Sequence, residues 1–179
     1  MKQKFNIKAK MWFVVCAISL LLGIASVSYA QTVSLTSSEQ YWLTYMREEE
    51  KLARDVYVVL HEKWQSRIFK NISLSEQTHM DAVKTLLDRY GIEDPAAGKA
   101  PGEFTNQELQ ALYDELIEDG SASLDAALNV GIFIEETDID DLNTAIHSTR
   151  RKDMITVYSN LLAGSLNHLD AFNSNPARR

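Results

Sequence analysis

The sequence predicts an all-α fold, a bundle of four long helices with a short extra helix in the connection between the second and the third. Three observations predict it. Apolar residues recur in alternating steps of three and four through four segments, which places them on one face of a helix. The period-two alternation of half-buried strands is weak throughout. Two of the three connections are short, as between antiparallel neighbours. The third, Gly91 to Ser123, is long enough to run the length of a helix and start the next one at the opposite end.

Residues 1–30 stand outside that fold and read as a secretory signal peptide. Lys2, Lys4, Lys8 and Lys10 come without any acid, Met11–Ile24 is apolar, and Ser28-Tyr29-Ala30 is a small-x-small cleavage signature. The apolar run is shorter than the roughly 20 residues of a membrane span, which disfavours an uncleaved anchor. Cys16 lacks the small residue before it that a lipoprotein site needs. The expected location is therefore secreted or periplasmic after cleavage near Ala30.

Cleavage removes four lysines and no acid, so the formal charge moves from −7 to −11. Such a chain has no basic face for nucleic acid and suits the attraction of cations. It keeps no cysteine, which excludes disulfides, thiolate ligands and thiol chemistry. No second apolar span follows, so the rest of the chain is not expected in a membrane.

Residues 31–37 form an N-terminal extension, 38–173 the bundle and 174–179 a tail. The first helix, Ser38–Gln65, can be capped by Thr36-x-x-Glu39 or the neighbouring serines. Its inner stripe is Leu43, Met46, Glu50, Ala53, Tyr57, Leu60 and Trp64. The second, Ile68–Tyr90, stops at Gly91 with Pro95 beyond, and carries Phe69, Ile72, Glu76, His79, Val83, Leu86 and Tyr90. A capping box at Thr105-x-x-Glu108 opens the short helix, which ends near Gly120. The third long helix, Leu124–Ile146, has the stripe Leu128, Ile132, Glu135, Ile139, Leu142 and Ile146. The fourth, Arg151–Phe172, has Met154, Tyr158, Leu161, Ser165, His168 and Phe172.

Each stripe is broken near its middle by Glu, His or both. Unpaired carboxylates and imidazoles in a core cost several kcal/mol, so something must satisfy them. A metal ion does so most simply. Glu50, Glu76, His79, Glu135 and His168 are the candidate ligands, with Asp138 one turn from Glu135 on a face it can share. Carboxylates bridge hard cations, and imidazole suits iron, manganese and zinc. Glu76 and His79, three apart, can address one centre.

Bland readings stand beside these. Ser73-x-x-Glu76 is a capping box if the second helix starts late. Glu50 belongs to the acidic run Glu48–Glu50, which could be a solvated helix edge, and Arg54 at i+4 could pair with it. Only one of Glu135 and Glu136 can point inward, and the stripe selects Glu135. His168 alone would more often be structural, and His61 and His147 read as surface or edge residues. Gly131 and Gly164, one turn before Glu135 and His168, make either close packing or room beside the site.

With these residues in view, the chain resembles the ferritin-like superfamily on its rubrerythrin side, and more closely an uncharacterised bacterial and archaeal branch of it. The resemblance runs from about Tyr41 to Phe172. It rests on Glu50 with Ala53, Arg54 and Tyr57, on Glu76-Gln77-Thr78-His79, on the Glu135 segment, and on Leu161–Phe172 with His168. It implies a carboxylate-bridged site for one or two iron ions, with manganese or zinc as alternatives. Arg54, Tyr57 and Ser165 would be the outer groups orienting ligands. The chemistry implied is oxidation of ferrous iron or reduction of peroxide or oxygen; a homo-oligomer is compatible with it.

One departure matters. The second Glu-x-x-His of the resembled pattern is here Ser165-Leu166-Asn167-His168, so its carboxylate is missing and six ligands become five. Asp138 could compensate, or one metal could keep an open position, or the site could hold a single ion. A non-catalytic metal binder and a structural bundle with a decayed site therefore remain as further readings.

Overall fold

The computed structural model describes residues 34–178. The expected signal peptide lies outside the described residues. Five α-helices follow: α1 Ser37–Trp64, α2 Arg67–Tyr90, α3 Gln107–Gly120, α4 Leu124–Ser148 and α5 Lys152–Asn173. Among the described residues there is no strand, and no helix is long and apolar enough to cross a membrane. The helix ends fall within two residues of the expected ones. Thr36 caps α1 through the expected box, its hydroxyl accepting from the Glu39 N–H while the Glu39 carboxylate takes the Thr36 N–H. Gly91 closes α2 at φ 66°, the left-handed backbone that glycine adopts without cost.

The start of α3 differs from expectation. Asn106, not Thr105, is its cap, with Oδ1 accepting from the N–H groups of Glu108 and Leu109. The N–H groups of Thr105 and Asn106 are instead bound by the carboxylate of Glu48 on α1. A longer-range anion took the place the local box would have filled.

Contacts give the helix directions. Arg47, Glu50 and Tyr57 on α1 meet Met80, His79 and Phe69 on α2, so the two helices are antiparallel. Ser75, His79 and Arg89 on α2 meet His168, Gly164 and Asp153 on α5, again in reverse order. Asp138, Glu135 and Gly131 on α4 meet Ser165, His168 and Phe172 on α5. It follows that α2 and α4 point the same way, and residues 91–123 must carry the chain back along their length.

The interior has two apolar clusters. One gathers Tyr57, Leu60, Phe69, Leu128 and Phe172 with α3 residues Leu109 and Leu116. The other gathers Leu43, Met46, Val83, Leu142, Met154 and Tyr158. Burying each such side chain contributes about 1.5–3 kcal/mol. Between the clusters, at mid-height on all four long helices, lies a belt of buried carboxylates and imidazoles.

Two expectations about faces need correction. On α4 the buried residues are Ala127, Leu128, Val130, Gly131, Ile134, Glu135, Asp138, Leu142 and Ala145, while Ile132, Ile139 and Ile146 are only half-buried. Large isoleucines suggested the stripe, but the face that turns inward is the one on which Gly131 and Ala145 let a neighbouring helix approach. A Cβ on Gly131 would stand 2.5 Å from the Phe172 ring, so this glycine serves packing. On α1 the burial is all-round: Arg47, Glu48, Glu49, Lys51 and Asp55 are buried as well as the stripe. The crossover and α3 cover the face that its charges suggested was solvated.

Candidate metal centre

Glu76, at the middle of α2, is the hub of the belt. Its Oε2 lies 2.7 Å from His79 Nδ1, one turn along the same helix. Its Oε1 lies 2.8 Å from His168 Nδ1, brought in by α5. Glu50 from α1 approaches the first imidazole, Oε2 to His79 Nδ1 being 3.1 Å. Glu135 from α4 approaches the second, Oε2 to His168 Nδ1 being 3.5 Å. Two groups thus form, Glu50–Glu76–His79 and Glu76–Glu135–His168, each with its ligand atoms within 4.8 Å of one another. They share Glu76, one oxygen to each side. The five residues expected from the sequence are brought together.

Groups around them hold the geometry. Tyr57 donates to Glu135 Oε1 at 2.7 Å and to the Gly131 carbonyl at 3.3 Å. His168 Nε2 lies 3.0 Å from the Ser75 hydroxyl, which orients the far side of the ring. His79 Nε2 faces Gly164, where an added Cβ would come within 2.6 Å; this glycine makes room for the imidazole. The two rings stack at 5.6 Å with both Nδ1 atoms turned to Glu76.

Ser165 donates to Asp138 Oδ2 at 2.5 Å. The serine three residues before His168 thus ties a buried carboxylate of α4 to α5. Arg54 does not serve the centre: its guanidinium binds Asp55 and Gln77. Nor does it pair with Glu50. Glu136 is exposed, as the stripe required, His147 is exposed, and His61 is at the end of α1 against the Ser66 carbonyl. Ser75 escaped notice in the sequence; its one signal is that it precedes Glu76 on the same turn.

Several polar atoms in the belt are buried without an aligned hydrogen-bond partner: Glu50 Oε1, Glu76 Oε1, Asp138 Oδ1 and His168 Nδ1. Glu76 Oε1 and His168 Nδ1 are close yet not directed at each other as donor and acceptor, an arrangement suited to atoms facing a common third atom. Five carboxylates, Glu49, Glu50, Glu76, Glu135 and Asp138, are buried here against two imidazoles. Oxygen and nitrogen donors without sulfur fit first-row divalent cations, and two such ions would offset four of the five carboxylate charges.

Protonation reflects this crowding. Burial pushes Glu50 up to about 8 and Glu135 up to about 7, against the pull of the imidazoles. Burial and the charge of Glu50 also raise Asp138. Burial disfavours the imidazolium of both histidines, but their carboxylates win, lifting His79 to about 11 and His168 to about 9. Burial works against the charge of Glu76 too, yet its two imidazoles hold it at about 2.

Groups with raised values hold protons in the fold that the unfolded chain has released. The imidazoles' contribution is full below 6.5 and is lost as pH rises through about 9 and about 11. The contribution of Glu50 and Glu135 is full below 4.5 and is lost as pH rises through about 8 and about 7. Glu76 acts oppositely, its contribution being lost only as pH falls from 4.5 through about 2. The melting temperature of chelator-treated protein is therefore expected to fall between about pH 6 and about pH 9. Thermal melts across that range check this; a flat or rising profile would contradict it.

Comparison with known proteins covers this whole region. The family described as "Uncharacterized protein domain (DUF2202)" matches residues 39–178. The chain is 51% identical over 138 residues to "Uncharacterized protein MJ0754" of Methanocaldococcus jannaschii, spanning 77% of this chain and 75% of that protein. The crystal structure of hypothetical protein MJ0754 from Methanococcus jannaschii is similar with a TM-score of 0.76 at 51% identity, over 77% of this chain and 79% of that one.

Proposed function

The chain belongs to the family described as the uncharacterized protein domain DUF2202, and we propose that it is a ferritin-like, rubrerythrin-related four-helix bundle that binds two transition-metal ions, iron first, in its polar belt. One observation carries this reading: two ligand groups meet on opposite oxygens of a single buried glutamate. Glu50 and His79 would hold one ion, Glu135 and His168 the other, and Glu76 would lie between them. Asp138, held by Ser165, would supply a fourth carboxylate and so a sixth donor residue.

A pair of iron or manganese ions bound here supplies electron exchange with peroxide, oxygen or ferrous iron. The chain's own residues do the rest. Tyr57 fixes one oxygen of Glu135 and leaves the other toward His168. Ser75 and Gly164 set the planes of the two imidazoles. The apolar clusters above and below keep bulk water from the belt. Secretion or export to the periplasm is part of the same proposal and rests on the character of residues 1–30.

A second reading, a non-catalytic binder that sequesters or delivers metal, is favoured by the closed surroundings. Cavities of about 350 Å³ between α3 and α4 and about 500 Å³ near Arg89 lie away from the ligands. The deciding experiment is anaerobic loading with ferrous iron or manganese, followed by elemental analysis and assays with peroxide and ferrous iron. Two ions per chain with turnover supports the oxidoreductase reading, and two ions without turnover supports the binder. No uptake, with melting indifferent to chelator, would defeat both and leave a structural bundle.

A further inference from the structure

The two ligand groups differ in what stands behind them. On one side, His168 has its far nitrogen, Nε2, 3.0 Å from the Ser75 hydroxyl. Its companion Glu135 has Oε1 bound by the Tyr57 hydroxyl at 2.7 Å. Tyr57 is fully buried, with its ring packed against Phe69 and Phe172, so that hydroxyl has little freedom. On the other side, His79 Nε2 faces Gly164, which has no side chain to accept from it. The polar contacts of His79 run from Nδ1, and among the described residues none reaches Nε2. Glu50 keeps Oε1 buried without a hydrogen-bond partner.

Burial does not account for the difference. The side chains of Glu50 and Glu135 are 1% and 2% exposed, and those of His79 and His168 are 10% and 12% exposed. Nor does Asp138 even it out, since it belongs to neither group of ligand atoms and is tied to Ser165. What differs is the support from outside. A cation at Nδ1 leaves the proton of an imidazole on Nε2. Ser75 Oγ can accept that proton's hydrogen bond from His168, and no side chain accepts it from His79. Partners of this kind fix the orientation of a ligand, and losing them typically costs about 10- to 100-fold in metal affinity.

Resting on the metal-centre reading above, we propose that the two positions are unequal: Glu135 and His168 hold a divalent cation tightly, Glu50 and His79 hold one loosely and exchange it, and Ser75 and Tyr57 are the positioning residues that make the difference. The tight position has both of its unshared donors braced from behind, so binding there orders little that is not already ordered. At the loose position the ring of His79 can turn over Gly164 without breaking a second hydrogen bond, and one oxygen of Glu50 is unclaimed. Glu76, common to both, does not distinguish them.

Cobalt(II) is the probe, titrated anaerobically into the full chain and followed by calorimetry. Repulsion between two ions would weaken the second at any paired centre, so the comparison is between variants that keep one position each. Glu50→Ala, which keeps the Glu135–His168 position, is expected to bind its ion about tenfold or more tighter than Glu135→Ala, which keeps the other. Adding Ser75→Ala to Glu50→Ala should weaken binding by about tenfold, and Ser75→Thr in its place should restore it. Adding Ser75→Ala to Glu135→Ala should change nothing. Melts of the chelator-treated variants report folding, and Glu50→Gln and Glu135→Gln serve if an alanine variant fails to fold. Equal affinities in the two single-position variants, or the reverse order, would overturn the proposal. So would Ser75→Ala weakening both positions alike, which is what general loosening of the bundle does. A parent protein that takes up no cobalt, iron or manganese would instead overturn the metal-centre reading, and this inference with it.

Discussion

Replacing Glu76 by alanine is expected to take bound metal from two ions per chain to almost none. Glu76 is the residue common to both ligand groups, and each of its oxygens serves a different imidazole. Its loss removes a donor from both sides and the partner that holds both rings in place. His79 and His168 should also lose much of their upward pKa shift, returning toward 6.5. Glu50→Ala or His79→Ala removes donors from one group only, so one ion should remain in each. A ligand that binds only the folded state stabilises it by about 2.7 kcal/mol at a hundredfold excess over Kd. The metal-dependent rise in melting temperature expected of the parent should vanish in Glu76→Ala. Elemental analysis and paired melts with and without metal make the check; full occupancy in the variant would remove Glu76 from the centre.

Asp55→Ala is expected to cost stability whether or not metal is bound. Lys51 and Asp55 are each 2% exposed in their side chains, with Nζ 2.5 Å from Oδ2. Asp55 also accepts from the Gly102 N–H and from the Arg54 guanidinium. Lys51 donates to the Ala100 carbonyl and lies 4.4 Å over the Phe104 ring. Without Asp55, a buried ammonium and a backbone N–H of the crossover lose their counterpart together. Breaking a buried pair from one side costs about 3–5 kcal/mol. In a domain of this size that lowers the melting temperature by about 10 °C. Replacing both partners, Lys51→Met with Asp55→Leu, should recover part of the loss, since no buried ammonium is then left alone while Arg54 and the Gly102 N–H still lose an acceptor. Urea unfolding of the three proteins decides it, and a change below about 1 kcal/mol in the single variant would mean water reaches Lys51.

The helices and their inward polar positions were readable because two regularities coincide. Three-and-four spacing fixed which face of α1, α2 and α5 turns inward, and the polar interruptions lay on that face at one height. Caps and the αL glycine marked most ends. What escaped was decided by contacts far apart in sequence. The inward rotation of α4 follows from Phe172 packing against Gly131, which apolar bulk at Ile132 and Ile139 conceals. The burial of Glu48, Lys51 and Asp55 depends on where residues 91–106 lie, and composition does not say which helix a crossover will cover. Arg54 sits on the expected turn but finds Asp55 and Gln77 closer than the centre. The hydrogen bond from Ser165 to Asp138 joins two different helices, so spacing along either one could not announce it.

The division of the interior into two apolar clusters by a polar belt bears on how tightly the helices are indexed. Leucine, valine and methionine can exchange places along an apolar seam with little loss, so a purely apolar bundle tolerates a helix sliding by one turn, about 5.4 Å. Here the same slide would drive Glu50, Glu76, Glu135 or His168 into a layer of methyl groups and rings, and leave its former neighbours facing nothing. Misaligned arrangements are thus penalised on every long helix at once. The belt acts as a vernier, selecting one alignment of α1, α2, α4 and α5 from the several that hydrophobic burial would accept.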